Sequence, residues 1–260
     1  SSGIGLGVAE ALLEQGASVS VHYRSRRAAA EAHHQGALIS VNHPKDEGPD
    51  WEWTDVRGFD CLEVWQAPWW VSNYQSLARW DALLREGRRV VGVGGSDIHR
   101  VRTPERAYSH ELGNPTTWVW AQSLTPAAIL DGLRRGRVFL TPEPAGVEIY
   151  LTTRTADGRE YTMGDEAPVA PGEPVRLVVR TVGCGGGILR LVSAHGVVAE
   201  ADIAGPEFAW ESDVTAIHDT YYRVEVIEPP EIPLDEEPAA LMIRALTNPV
   251  YVKIRGEPKG

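Results

Sequence analysis

The stretch Val90 to Arg100, VVGVGGSDIHR, constrains this chain more than any other. It reads as an apolar strand that runs into glycines and then presents Asp97 and His99. In an extended segment, residues two apart point to the same side, so this carboxylate and this imidazole can face one ion. A strand end is a rigid support, and α/β folds place their chemistry at the carboxyl ends of strands. The same spacing also suits a solvated turn in which Asp97 caps the backbone that follows.

The residues before this stretch repeat the pattern. Ala28 to Gln35 is helix-like and stops at Gly36. Ala37 to Val41 reads as a buried strand, followed at once by Asn42, His43 and Pro44. The proline holds His43 out of helical geometry. Lys45 to Arg57 reads as a polar loop, and Asp60 to Gln66 as another strand with Glu63 inside it. Ser76 to Glu86 predicts a helix with Leu77, Trp80, Leu83 and Leu84 on one side, closed by Gly87. Strand-His, strand-Glu, helix, strand-Asp-x-His is the order of a parallel sheet with crossover helices. Six of the nine tryptophans fall between Trp51 and Trp80. Such a cluster can line a substrate pocket or fill a core.

Thr103 to Trp120 is loop-rich and ends in a strand, TTWVWA. Thr125 to Gly136 predicts a helix with a threonine cap, proline at its first position and glycine at its stop. RVFLTPEP then closes the α/β part. From Pro142 the helical pattern disappears. Val147 to Thr153, Val175 to Val182, Ile188 to Ser193, Tyr221 to Ile227 and Tyr251 to Ile254 read as strands separated by turns. That spacing predicts a small antiparallel β-sandwich. His110, His195 and His218 read as surface or packing residues.

Composition narrows the function classes. The formal charge of −11 argues against non-specific binding to nucleic acid or anionic membrane. No apolar run approaches a membrane span. Two cysteines, Cys61 and Cys184, supply neither a disulfide framework nor a cysteine zinc site, so a reducing, cytoplasmic setting is expected. The expected partner is a small-molecule substrate, and Arg135 and Arg137 could reach an anionic one. The chain begins Ser-Ser with no methionine and no charged-then-apolar leader, so its start reads as internal to something longer.

Two family resemblances follow from these residues. SSGIGLGVAEALLEQGASVSVHYRSR resembles the cofactor turn that opens a short-chain dehydrogenase/reductase. Gly3 and Gly5 match the last two glycines of that family's turn, and Arg24 stands where such proteins often meet the extra phosphate of NADP. No Asn-Asn-Ala-Gly segment and no Tyr-x-x-x-Lys pair follows downstream. ALISVNHP, FDCLEVWQ and VGVGGSDIHR, in this order, resemble the C-terminal part of the PHP (polymerase and histidinol phosphatase) superfamily, in its carbamate-hydrolase-like branch. YYRVEVIE and ALTNPVYVKI resemble the tail of the same branch.

The second resemblance implies a fold: an incomplete α/β domain of the PHP type, a distorted β/α barrel, followed by the antiparallel β-sandwich. Its domains would be 1–27 (dehydrogenase-like fragment), 28–141 (barrel remnant) and 142–260 (β domain). It implies His43, Asp97 and His99 as ligands of a divalent metal (zinc, manganese or iron). Glu63, Gln66 and Trp65 would support the metal or the substrate. The implied activity is hydrolysis of phosphoester, ester or carbamate bonds by a metal-activated water. The family's first-half ligands are missing, since no His-x-His precedes Ala37 and His33 and His34 would diverge on a helix. The expectation is therefore a truncated or chimeric chain with half a metal site, whose catalytic residues are not identified. An NADP-dependent oxidoreductase fragment is the alternative.

Overall fold

Three apolar stretches build the first sheet. Ser40–Val41 (β1), Cys61–Gln66 (β2) and Val91–Gly95 (β3) run parallel in the order β1-β2-β3. The computed structural model describes residues 36–45, 58–69, 72–98, 112–228 and 241–256. The crossover from β2 to β3 is helix α1, Asn73–Arg85, which turns Leu77, Trp80 and Leu84 inward at the expected spacing. Gly92 of β3 lets that helix come close. A Cβ there would stand 2.9 Å from the Trp80 ring. The Trp80 indole N–H donates to the Val90 carbonyl at 2.8 Å, so the helix is pinned as well as packed.

The remaining elements are Thr116–Val119 (β4), Pro126–Arg135 (α2), Val138–Thr141 (β5), Glu148–Arg154 (β6), Glu160–Thr162 (β7), Glu166–Val169 (β8), Pro174–Val182 (β9), Ile188–Ser193 (β10), Gly196–Asp202 (β11), Glu207–Thr215 (β12), Thr220–Glu228 (β13), Met242–Thr247 (β14) and Val250–Ile254 (β15). They form an eight-stranded sheet, β11-β10-β13-β14-β5-β4, in which β15 pairs with β13 and β8. A four-stranded sheet, β12-β9-β6-β7, packs over it. Strand β9 shows the reason: Val175, Leu177 and Val179 are buried and alternate with exposed or half-buried residues. They meet Ile149, Leu151, Leu189, Leu191, Val224 and Val226 in the sandwich core.

Strand β13 is buried along nearly its whole length, which suits a central strand covered on both faces. Val224 and Val226 belong to the sandwich core. Tyr221 and Ile227 belong to a second cluster with Leu62, Trp80 and Val90 of the parallel unit. Arg223 lies between the two, 2% exposed. It donates to Asp81 of α1 at 2.7 and 2.9 Å and to Glu225 at 2.9 Å. Burial opposes its charge, but Glu225 and Asp81 outweigh that and hold its pKa above the ordinary arginine value.

A β-sandwich is present, antiparallel except where β8 pairs with β15, and it takes in β4 and β5 from before residue 142. The β/α barrel is absent: among the described residues strands outnumber helices fifteen to two, and no barrel closes. The reason is in the stretch read as the barrel's ending. Helix α2 forms as expected, with the Thr125 hydroxyl accepting from Ala128 N and Gly136 in the left-handed region at φ 73°. It connects β4 to β5, however, and those strands pair antiparallel with each other. Strand β5 then pairs antiparallel with β14. A β/α barrel needs parallel neighbours; these strands extend the sandwich instead.

Candidate functional site

Each strand of the parallel sheet ends in backbone strain. His43 follows β1 at φ 53°, Ala67 follows β2 at φ 56°, and Asp97 follows β3 at φ 50°. They are the positive-φ residues other than glycine among the described residues. Left-handed backbone at such residues costs on the order of 1 kcal/mol or more each and concentrates at functional sites. Here it turns the chain sharply at the three adjacent strand ends.

Around these turns the side chains form one connected set. The Glu63 carboxylate accepts from the His43 backbone N–H at 2.9 Å and binds His43 Nδ1 at 2.5 Å. The other ring nitrogen, Nε2, stands 3.6 Å from Asp97 Oδ1. Asp97 Oδ2 accepts from Gln66 Nε2 at 2.7 Å. Glu63 is 4% exposed, whereas His43 and Asp97 are 42% and 31% exposed. The buried carboxylate thus orients, and the imidazole and second carboxylate face outward. Hydrogen bonding to Glu63 raises the His43 pKa above its ordinary value. Burial opposes the rise, the negative charges of Glu63 and Asp97 reinforce it, and Lys45 counters it.

The support reaches further. Asn73, wholly buried at the start of α1, donates to the Gln66 carbonyl at 3.0 Å and accepts from the Gln66 N–H at 3.1 Å. Lys45, 8% exposed, donates to Ser72 Oγ at 3.2 Å. Gly95 makes the room: a Cβ there would lie 2.7 Å from Glu63 Oε1.

The structure therefore brings together His43, Glu63, Gln66 and Asp97 of the residues expected from sequence. Trp65 is placed elsewhere, wholly buried and edge-to-face with Trp69 at 5.1 Å. The register shift between Glu63 and Trp65 accompanies this separation. His99 lies outside the described residues, as do Gly3, Gly5 and Arg24 of the dehydrogenase-like turn. Sequence reasoning passed over Lys45, which sat in a stretch read as loop, and Asn73, which fell just before the expected helix. Among the described residues no group of three or more His, Cys, Asp or Glu side chains is arranged to hold a metal. No described helix is long and apolar enough to cross a membrane.

No protein-family model matches the chain. No curated protein matches it either. One solved structure with similarity is the solution NMR structure of the CARDB domain of PF1109 from Pyrococcus furiosus. It is 14% identical, covers 42% of this chain and 97% of that domain, and has a TM-score of 0.24, too low an overlap to argue from. The expected membership of the PHP superfamily, and with it the dehydrogenase likeness of residues 1–27, is thereby overturned. No family model supports either, and the architecture is strand-rich and mostly antiparallel where the first required a β/α barrel.

Proposed function

We propose that His43 and Asp97 hold a divalent cation (zinc, manganese or iron) and that the chain is a metal-dependent hydrolase of phosphoester or related ester or carbamate bonds in a small-molecule substrate. The observation that carries this reading is the split of roles on His43. Nδ1 is committed to buried Glu63, and Nε2 faces Asp97 Oδ1 at 3.6 Å. A carboxylate behind a histidine fixes its tautomer and raises its basicity as a ligand. Gln66 does the same positional work for Asp97. At 3.6 Å, Nε2 and Oδ1 are close enough for one cation to touch both.

The two carboxylates around the imidazole favour a positive charge between them, and a bound cation would take the place of the proton they favour on His43. When bound, a cation of this kind lowers the pKa of its water to near neutrality and makes it a nucleophile. The chain's own contribution is to hold Nε2 and Oδ1 at fixed separation on strained strand ends. The half-exposed positions of His43 and Asp97 leave the remaining coordination sites to solvent and substrate.

Isothermal titration of metal-free protein with Mn²⁺ and Zn²⁺ tests this. One site should appear, and Asp97→Asn or His43→Ala should weaken it about tenfold or more. Metal-dependent hydrolysis of p-nitrophenyl phosphate, or of a p-nitrophenyl ester or carbamate, should fall in the same variants. Titrations that show no binding at millimolar metal, or binding indifferent to Asp97→Asn, would remove the reading.

A further inference from the structure

We infer that the β-sandwich carries a second site, a groove for a neutral carbohydrate chain, with Trp120 as its stacking platform. The groove has a volume of about 760 Å³ and lies where β4, at the edge of the large sheet, runs beside β6 and β9 of the small one. Its size falls in the range of small-molecule and oligomer clefts. Four aromatic rings follow one another along it. Trp118 stacks on Phe139 at 5.5 Å with planes 12° apart, Phe139 meets Tyr150 edge-on at 5.3 Å, and Tyr150 meets Trp120 edge-on at 6.2 Å. The inner rings pack against the sandwich core. Trp120 does not: it is 54% exposed.

Core packing explains Trp118 and Phe139 but leaves Trp120 unexplained. Its neighbour Tyr150 is held in place, since its hydroxyl donates to Glu148 Oε2 at 2.9 Å. A rigid edge-to-face pair thus presents an indole at the groove. The electron-rich face of an indole attracts the weakly positive C–H face of a sugar ring. Beside it lie the hydrogen-bonding groups that sugar hydroxyls need. Arg180 and Glu207 line the groove, and both are exposed to it and to solvent. Glu148 keeps acceptor capacity beyond Tyr150.

The charges choose between ligands that stack. A single-stranded nucleic acid also stacks on aromatic rings but needs cations along its phosphates. The groove offers one arginine against two glutamates, on a chain of net charge −11. A neutral polyol gains from both signs without paying for repulsion. The site is separate from the His43–Asp97 cluster and stands whether or not that cluster binds metal.

Calorimetric titration of the intact chain with cellohexaose, chitohexaose and mannohexaose, and in parallel with oligo-dT, tests the inference. Saturable binding of at least one of the neutral hexasaccharides is expected. Trp120→Ala should weaken it about tenfold, the loss of one good aromatic contact. Arg180→Ala, at an exposed position, should weaken it also. Both variants should melt at the wild-type temperature. Failure of all three sugars to bind, sugar binding unaffected by Trp120→Ala, or tighter binding of oligo-dT would each overturn it.

Discussion

Gly95 shows how one hydrogen atom in place of a methyl can hold a site together. The space that a Cβ would fill is occupied by the Glu63 carboxylate, at 2.7 Å. Gly95→Ala should push that carboxylate away and release His43 Nδ1, at a stability cost of about 1–3 kcal/mol from overpacking. Metal affinity should drop about 10–100-fold, as it does when a ligand histidine loses its carboxylate. Gly94 supplies the control. A Cβ there meets Pro115 at 2.9 Å and the Trp65 carbonyl at 3.1 Å, but not Glu63. Gly94→Ala should cost similar stability, read as a urea midpoint, and leave metal titrations unchanged. Equal affinity losses in the two variants would assign the effect to general distortion. The outward-facing residues of this cluster were legible in sequence because strand periodicity and a following proline or glycine mark a strand end. Glu63 was legible as a supporting residue inside an apolar run, yet that it would bind His43 was not. That contact depends on the register of β1 against β2, which pairs Ser40 with Cys61 and which no local pattern encodes.

At the scale of elements, β3 poses a problem that the structure solves with side chains. Among the described residues its edge away from β2 has no strand partner, yet Val91 and Gly92 are buried and the rest of the strand is half-buried. Asn248, 2% exposed in the turn between β14 and β15, accepts from the Gly92 N–H and donates to the Gly92 carbonyl, each at 2.8 Å. Its amide imitates a neighbouring strand. Thr117 does likewise for Gly94, with its hydroxyl 2.9 Å from the N–H and 2.8 Å from the carbonyl. Asn248→Ala strands both Gly92 groups, so it should destabilise by about 3 kcal/mol. An unfolding free energy from urea titration within about 0.5 kcal/mol of wild type would mean that water replaces the amide. In the sequence a strand was legible only after the Thr-Asn-Pro turn, at Tyr251 to Ile254, and none directly before it. In the sandwich β6, β9, β10, β13 and β15 were legible as apolar runs between turns, whereas β7, β8, β11 and β14 were not. Nor was β12, because its Glu207–Thr215 run mixes charges with apolar residues on a half-exposed strand at the edge of its sheet. Where β4 and β5 would pair was the larger loss. Local sequence shows that a strand exists, whereas its partner is chosen by contacts more than a hundred residues away, here Leu140 with Leu246.

Over the whole molecule, the expected half barrel would expose apolar sheet edges and aggregate or melt broadly. The architecture argues otherwise. One cluster joins Leu62, Trp80 and Val90 of the parallel unit to Leu140, Tyr221, Ile227 and Leu246 of the large sheet. The Arg223 pair with Asp81 and the Asn248 bonds to Gly92 cross the same junction. Shared core and crossing bonds couple the two parts into one unfolding step. The two thiols can report on this separately. Cys61 lies in the shared cluster and Cys184 in the sandwich core. Burial pushes Cys61 from 9.0 up to about 12 and Cys184 from 9.0 up to about 11. Both therefore remain protonated and inert in the folded chain at pH 8, where unfolded thiols already react. The linkage has a definite sign. The folded values are raised, so the stabilisation is full below about pH 9 and declines as pH rises toward 12 for Cys61 and 11 for Cys184. At pH 8 in a urea series, Cys61 and Cys184 should become reactive to a disulfide reagent at one midpoint, identified by peptide mapping. If Cys61 reacts at lower urea than Cys184, the parallel unit opens by itself. The strained turns at His43, Ala67 and Asp97 would then rest on a separately stable piece rather than on the sandwich.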